Sequence, residues 1–127
     1  MKSLWFILFS LLFVGTVSAQ DGSKLLRALH SGNYQKVTRH FAPKVEICFG
    51  DDVFFLPKSK AATKFESIMN ELHPTSVTAL HKGSSDNKSA KYIIGEVKSQ
   101  KGTYRLFIFA KRRGDRTVIK EIRLEPF

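Results

Sequence analysis

Lys91-Tyr92-Ile93-Ile94-Gly95-Glu96-Val97-Lys98-Ser99, then Gln100-Lys101-Gly102, then Thr103-Tyr104-Arg105-Leu106-Phe107-Ile108-Phe109-Ala110-Lys111 reads as one β-hairpin. Two runs rich in β-branched and aromatic residues flank a short polar turn that contains glycine. Alternate residues of a strand point to opposite faces. Ile93, Gly95 and Val97 therefore share a face, as do Tyr104, Leu106, Ile108 and Ala110. The opposite face takes Tyr92, Ile94 and Glu96 from the first run and Arg105, Phe107, Phe109 and Lys111 from the second. Both faces are apolar, so one must cover helices and the other needs a second covering.

Outward from the hairpin the strands continue. Ser76–Lys82 precedes it, across a polar loop at Gly83–Ser89. Thr117–Glu125 follows, across a turn at Arg112–Asp115. Turns this short exclude crossovers and make three of these four strands a meander. Further upstream, Ser59–Leu72 carries Ala61, Ala62, Phe65, Ile68, Met69 and Leu72 on one helical stripe and exits at Pro74. Val45, Ile47 and Phe49 alternate with Glu46 and Cys48 as a strand, Gly50-Asp51-Asp52 turns, and Val53–Leu56 returns. Ser23–Ser31 reads as a short helix with Leu25, Leu26 and Leu29 on one side, ended by Gly32. Asn33 is placed to cap a second helix carrying Tyr34, Val37 and Phe41, closed by Pro43. Three helices in the N-terminal half beside an antiparallel sheet define an α+β domain. Its core rests on the Phe65 and Phe41 stripes lying across the hollow of that sheet.

The first 19 residues read as a leader. Lys2 is the positive end, Leu4–Val14 the apolar run, and Val17-Ser18-Ala19 the small-residue cleavage site. The apolar run is about half the roughly 20 residues a spanning helix needs. Residues 20–127 then form a single exported domain, periplasmic or secreted, with no membrane span after cleavage. Cys48 is the one cysteine of 127 residues, so no disulfide can form within the chain. It reads as a half-buried inert thiol, with an intermolecular disulfide as the sharper alternative.

Two stretches resemble known families. Ala28-Leu29-His30-Ser31-Gly32-Asn33-Tyr34, Val37, Phe41 and Val45-Glu46-Ile47 resemble the opening of the nuclear-transport-factor-2-like (cystatin-like) superfamily. His81-Lys82-Gly83-Ser84-Ser85, Tyr92-Ile93-Ile94-Gly95, Gly102-Thr103-Tyr104-Arg105 and Ile119-Lys120-Glu121-Ile122-Arg123 resemble an exported domain-of-unknown-function family of Bacteroidetes-type bacteria. The resemblance implies a cone, in which a curved antiparallel sheet wraps three helices. It implies no activity, though sheet-face dimers are common in the superfamily.

The face holding Tyr92, Ile94, Phe107 and Phe109, edged by Arg105 and Glu96, is larger than a monomer usually exposes. A homodimer through it is expected. An enzyme would instead use the cone, as isomerases of the superfamily do with a carboxylate base and a tyrosine or acid donor. The candidate parts are Glu96, Tyr92, Tyr104 and Asp51, but spacing brings no base and donor to one inward face. Tyr104 reads as a core aromatic with its hydroxyl at the rim. His30, His40, His73 and His81 lack metal-ligand spacing. No nucleophile elbow or phosphate loop is present in the sequence, and no cofactor is expected.

Lys and Arg number 21 against 11 acids, a net charge of +10. Lys111, Arg112, Arg113 and Arg116 crowd one hairpin tip, and Lys58, Lys60 and Lys64 open the long helix. The bland reading is a solvated surface. The sharper one is affinity for an acidic surface polymer, with nucleic acid not expected of an exported chain. Arg113-Gly114-Asp115 reads as a turn, and Asn87-Lys88-Ser89 as a glycosylation sequon relevant only in a eukaryote. Together these readings give an exported binding or scaffolding module, with the small pocket enzyme and the acidic-polymer binder as alternatives.

Overall fold

The structure is a computed structural model that describes residues 17–85 and 89–127. The leader up to residue 16, and Asn87 and Lys88 of the sequon, lie outside the described residues. The elements run α1 (Val17–His30), α2 (Gln35–Thr38), β1 (Phe41–Phe49), β2 (Asp52–Pro57), α3 (Lys58–Leu72), β3 (Pro74–Ser84), β4 (Ala90–Ser99), β5 (Gly102–Arg113) and β6 (Arg116–Pro126). α1 takes in the last three residues of the expected leader, Val17 to Ala19.

The strands form one sheet in the order β2-β1-β6-β5-β4-β3. The expected three-strand meander extends to all four strands, β3 to β6, each pair antiparallel. The β1–β6 pair is parallel, so the sheet is mixed rather than antiparallel throughout. Parallel neighbours need a long crossover, and here everything from β2 to β5 supplies it. Register shifts in β3, between β5 and β6, and between β1 and β6 bend the sheet.

The second helix is shorter than its apolar spacing predicts. α2 has four residues, and its N-cap is Tyr34 with no side-chain cap bond, so Asn33 does not cap it. The His40 N–H donates to the Val37 carbonyl, and the His40 carbonyl then accepts from the Ile119 N–H at 2.7 Å. That bond draws the chain into the sheet, so Phe41 opens β1 opposite Ile119 instead of ending a helix. Pro43 lies inside β1, at the irregular stretch between Phe41 and Glu46 where a missing N–H is tolerated.

The helices fill the hollow as expected. α3 packs on β1 and β2, and α1 on β3. Phe65 is fully buried, with Phe41 and Tyr34 edge-on to it at 6.1 and 6.2 Å. Ala61, Ile68, Met69 and Leu72 complete the α3 stripe against Val45, Ile47, Leu106, Ile108, Ile122 and Leu124 of the sheet. α3 stops at His73, whose φ of 51° is left-handed and whose N–H still reaches the Met69 carbonyl. Pro74 then forbids continuation.

Candidate functional site: the outer face of the sheet

The inner face leaves little room for chemistry. Among the described residues the only buried polar side chain is Thr38, and no carboxylate is buried. Glu96 faces outward with Tyr92, since Gly95 and Val97 between and beside it are buried. Asp51 is exposed in the β1–β2 turn. Tyr104 is on the inner face at the rim, tilted against Phe49 at 5.7 Å. The four candidates for a cone enzyme are therefore not brought together.

The outer face gathers the other set. Tyr92 pairs in register with Phe109, Ile94 with Phe107, and Glu96 with Arg105. All but Arg105 are half-buried, because neighbouring strands hold their side chains closely side by side. Tyr92 stacks on Phe107 with ring centres 6.3 Å apart, and the Arg123 guanidinium lies 5.9 Å from the Phe107 ring on the far side. The His81 ring lies 5.7 Å from that of Tyr92, with its Nε2 3.2 Å from the Tyr92 hydroxyl. A row from β3 to β6 thus reads His81, Tyr92, Phe107, Arg123. It continues in register to Cys48 of β1 and Val53 of β2. Val53 is 62% and Phe55 64% exposed on the same face.

Gly83 makes this arrangement possible. It lies opposite Tyr92, and a Cβ there would come within 2.4 Å of the tyrosine ring. The ring lies over the strand where a side chain is missing. Sequence reading placed Gly83 in a loop, so its role could not be seen.

Sequence reading also missed the polar centre of the face. Glu46, Cys48 and Glu121 bring their ligand atoms within 4.8 Å of one another. Arg123 donates from Nε to the Glu121 carboxylate and so supplies the cluster with its own cation. Cys48 is 7% exposed. Burial, and after it the Glu46 carboxylate, push its thiol above the usual range, which disfavours the reactive thiolate. Glu46 and Cys48 share a face by alternation, but the parallel partner that brings Glu121 and Arg123 alongside has no local signal.

The basic residues Lys111, Arg112, Arg113 and Arg116 are exposed around the β5–β6 turn. Arg112 folds back, its Nε donating to the Gly114 carbonyl at 3.1 Å. Gly114 has a φ of 62°, the left-handed geometry of a two-residue hairpin turn, which accounts for Arg113-Gly114-Asp115. His30, His40, His73 and His81 lie on four separate elements or junctions and form no cluster.

Three helices in the hollow of a bent mixed sheet, with an aromatic outer face, define a protein of the nuclear-transport-factor-2-like class. A putative dehydratase of that family from Streptomyces avermitilis superposes with a TM-score of 0.61 at 10% identity, over 87% of this chain and 93% of its own. The chain belongs to the DUF4783 family, a domain of unknown function, whose pattern it matches over residues 23–125. Two crystal structures of that family are similar to it at 20% identity. That from Bacteroides uniformis has a TM-score of 0.76 over 83% of this chain and 95% of its own, and that from Bacteroides ovatus 0.75 over 81% and 92%. No curated protein matches the chain.

Proposed function

We propose that this protein is an exported binding module that works through the outer face of its sheet, by pairing with a second copy of itself. One observation carries the reading: apolar and aromatic side chains from β2, β4 and β5 share a face that none of the described helices covers. Folding alone gives no reason to keep Phe55, Phe107, Phe109, Tyr92 and Ile94 on a solvent side. Exposed apolar patches of this kind mark contact sites. A second copy suits the face because it carries both signs of charge. Glu96 and Arg105 are in register, as are Arg105 and Glu125, so a two-fold pairing can set each sign against the other. The leader features, Lys2 and Leu4–Val14, support export.

Sedimentation equilibrium of the purified protein tests this. The wild type sediments as a dimer at tens of micromolar, and Phe107→Ser with Phe109→Ser as a monomer with an unchanged circular dichroism spectrum. A wild-type monomer at that concentration refutes the proposal, as does a variant that stays dimeric.

A further inference from the structure

A second surface lies at another part of the domain. A groove of about 1060 Å³ opens where α1, the α2–β1 junction and the start of β6 meet. Five permanent cations line it: Lys24 and Arg27 from α1, Lys36 and Arg39 from α2 and its end, and Arg116 from β6. Asp115 is the one carboxylate among its lining residues. The whole chain carries 21 Lys and Arg against 11 acids, so positive charge is concentrated here well beyond the average. All five are exposed, and among the described residues none stands in an ion pair. The floor is sealed by Ala28, Phe41 and Ile119, each buried. His30, also in the wall, accepts the Val77 N–H at Nδ1 over 3.1 Å, which leaves its Nε2 to carry a proton as a donor.

Like charges converging on a concave, apolar-floored wall repel one another and focus a positive potential into the groove. One small anion would answer one or two of them. A chain with regularly spaced anionic groups answers all five. Apart from the exposed imidazoles of His30 and His40, the lining holds one aromatic ring, Phe41, which is buried, so the groove offers no broad aromatic platform on which a run of nucleobases could stack. We infer that this groove binds an acidic polysaccharide, through sulfate or carboxylate groups paired with Lys24, Arg27, Lys36, Arg39 and Arg116. This site borders the hairpin tip and shares Arg116 with it, but takes its other four cations from α1 and α2 and its end, and it stands independently of pairing through the sheet face.

The test is calorimetric titration of the purified protein with a sulfated heparin decasaccharide at about 50 and about 200 mM salt. Two variants with the same charge change are compared: Arg27→Glu with Arg39→Glu in the groove, and Arg112→Glu with Arg113→Glu at the tip. All four side chains are exposed, and circular dichroism verifies that both variants fold. The wild type binds, with affinity falling as salt rises. The groove variant loses about tenfold or more, and the tip variant less than about threefold. Equal losses, a larger loss at the tip, or no binding at low salt overturn the inference. So does tighter binding of a ten-nucleotide thymidine strand than of the decasaccharide, which would assign the groove to nucleic acid.

Discussion

Gly83 and Gly95 allow one chemical change to be placed on opposite faces of the same sheet. Gly95 of β4 is on the inner face. A Cβ there would stand 2.9 Å from the Thr78 carbonyl oxygen and in contact with Leu26 and Leu106. The obstacle is backbone, fixed by the β3–β4 ladder, so it cannot step aside. Gly95→Ala should therefore behave as overpacking, at about 1–3 kcal/mol. The lower conformational freedom of alanine in a strand offsets about 0.5 kcal/mol of that. At about 4–8 °C of melting temperature per kcal/mol in a domain of this size, the fall is on the order of 10 °C. Gly83→Ala meets the ring of Tyr92 at 2.4 Å, and a tyrosine ring can swing away. What is lost is the contact of its hydroxyl with His81 and its stacking on Phe107, about 0.5–1 kcal/mol each at a solvated site. The strand gains about 0.5 kcal/mol in return. The fold should keep its melting temperature to within a few degrees, while the displaced ring roughens the outer face and weakens self-association. Thermal melts by circular dichroism at low micromolar concentration measure the first effect, and sedimentation of both variants the second. The reasoning is refuted if Gly83→Ala destabilises as much as Gly95→Ala, or if Gly95→Ala melts like the wild type.

Three further outcomes are expected. Phe65→Ala removes a fully buried ring and both of its edge contacts, and should lower stability by about 3–5 kcal/mol in urea titrations; a loss below about 1 kcal/mol would mean that the helices do not pack in the hollow as described. Iodoacetamide should label Cys48 more slowly than free cysteine at any mildly alkaline pH, because burial raises its thiol above the usual range. The folded state keeps that proton where the unfolded chain has lost it. The thiol's contribution to stability is therefore complete below the ordinary thiol range and is lost as pH rises from that range through the raised folded-state value; Cys48→Ala should flatten that part of the stability profile, and an unchanged slope would contradict it.

Much of this architecture could be read from local pattern. The alternation in Lys91–Lys111 assigns both faces of β4 and β5 correctly, and the α3 stripe names its buried residues, because each signal is complete within a dozen residues. The second helix was misread where a tertiary bond overrides local spacing: Phe41 sits one helical face from Val37, yet the Ile119 N–H draws His40 into the sheet. The parallel β1–β6 pair joins segments more than sixty residues apart, and with it the setting of Cys48 among Glu46, Glu121 and Arg123. Tyr92, Ile94, Glu96, Arg105, Phe107 and Phe109 share a face, as alternation dictates. Tyr104 does not, and its rim position follows from the same alternation. The basic groove has no local signature because its cations are spread over three elements, and the one that stands out in its own segment, Arg116, reads there as part of the hairpin tip.

Hydroxyl-radical footprinting across a dilution series bears most directly on whether the outer face is where this protein meets its partner. Tyr92, Phe107, Phe109 and Phe55 should oxidise slowly at tens of micromolar and faster on dilution below the dissociation constant, while Leu25 and Val118 of the groove react alike throughout. Oxidation of those four rings at a rate independent of protein concentration would contradict the account.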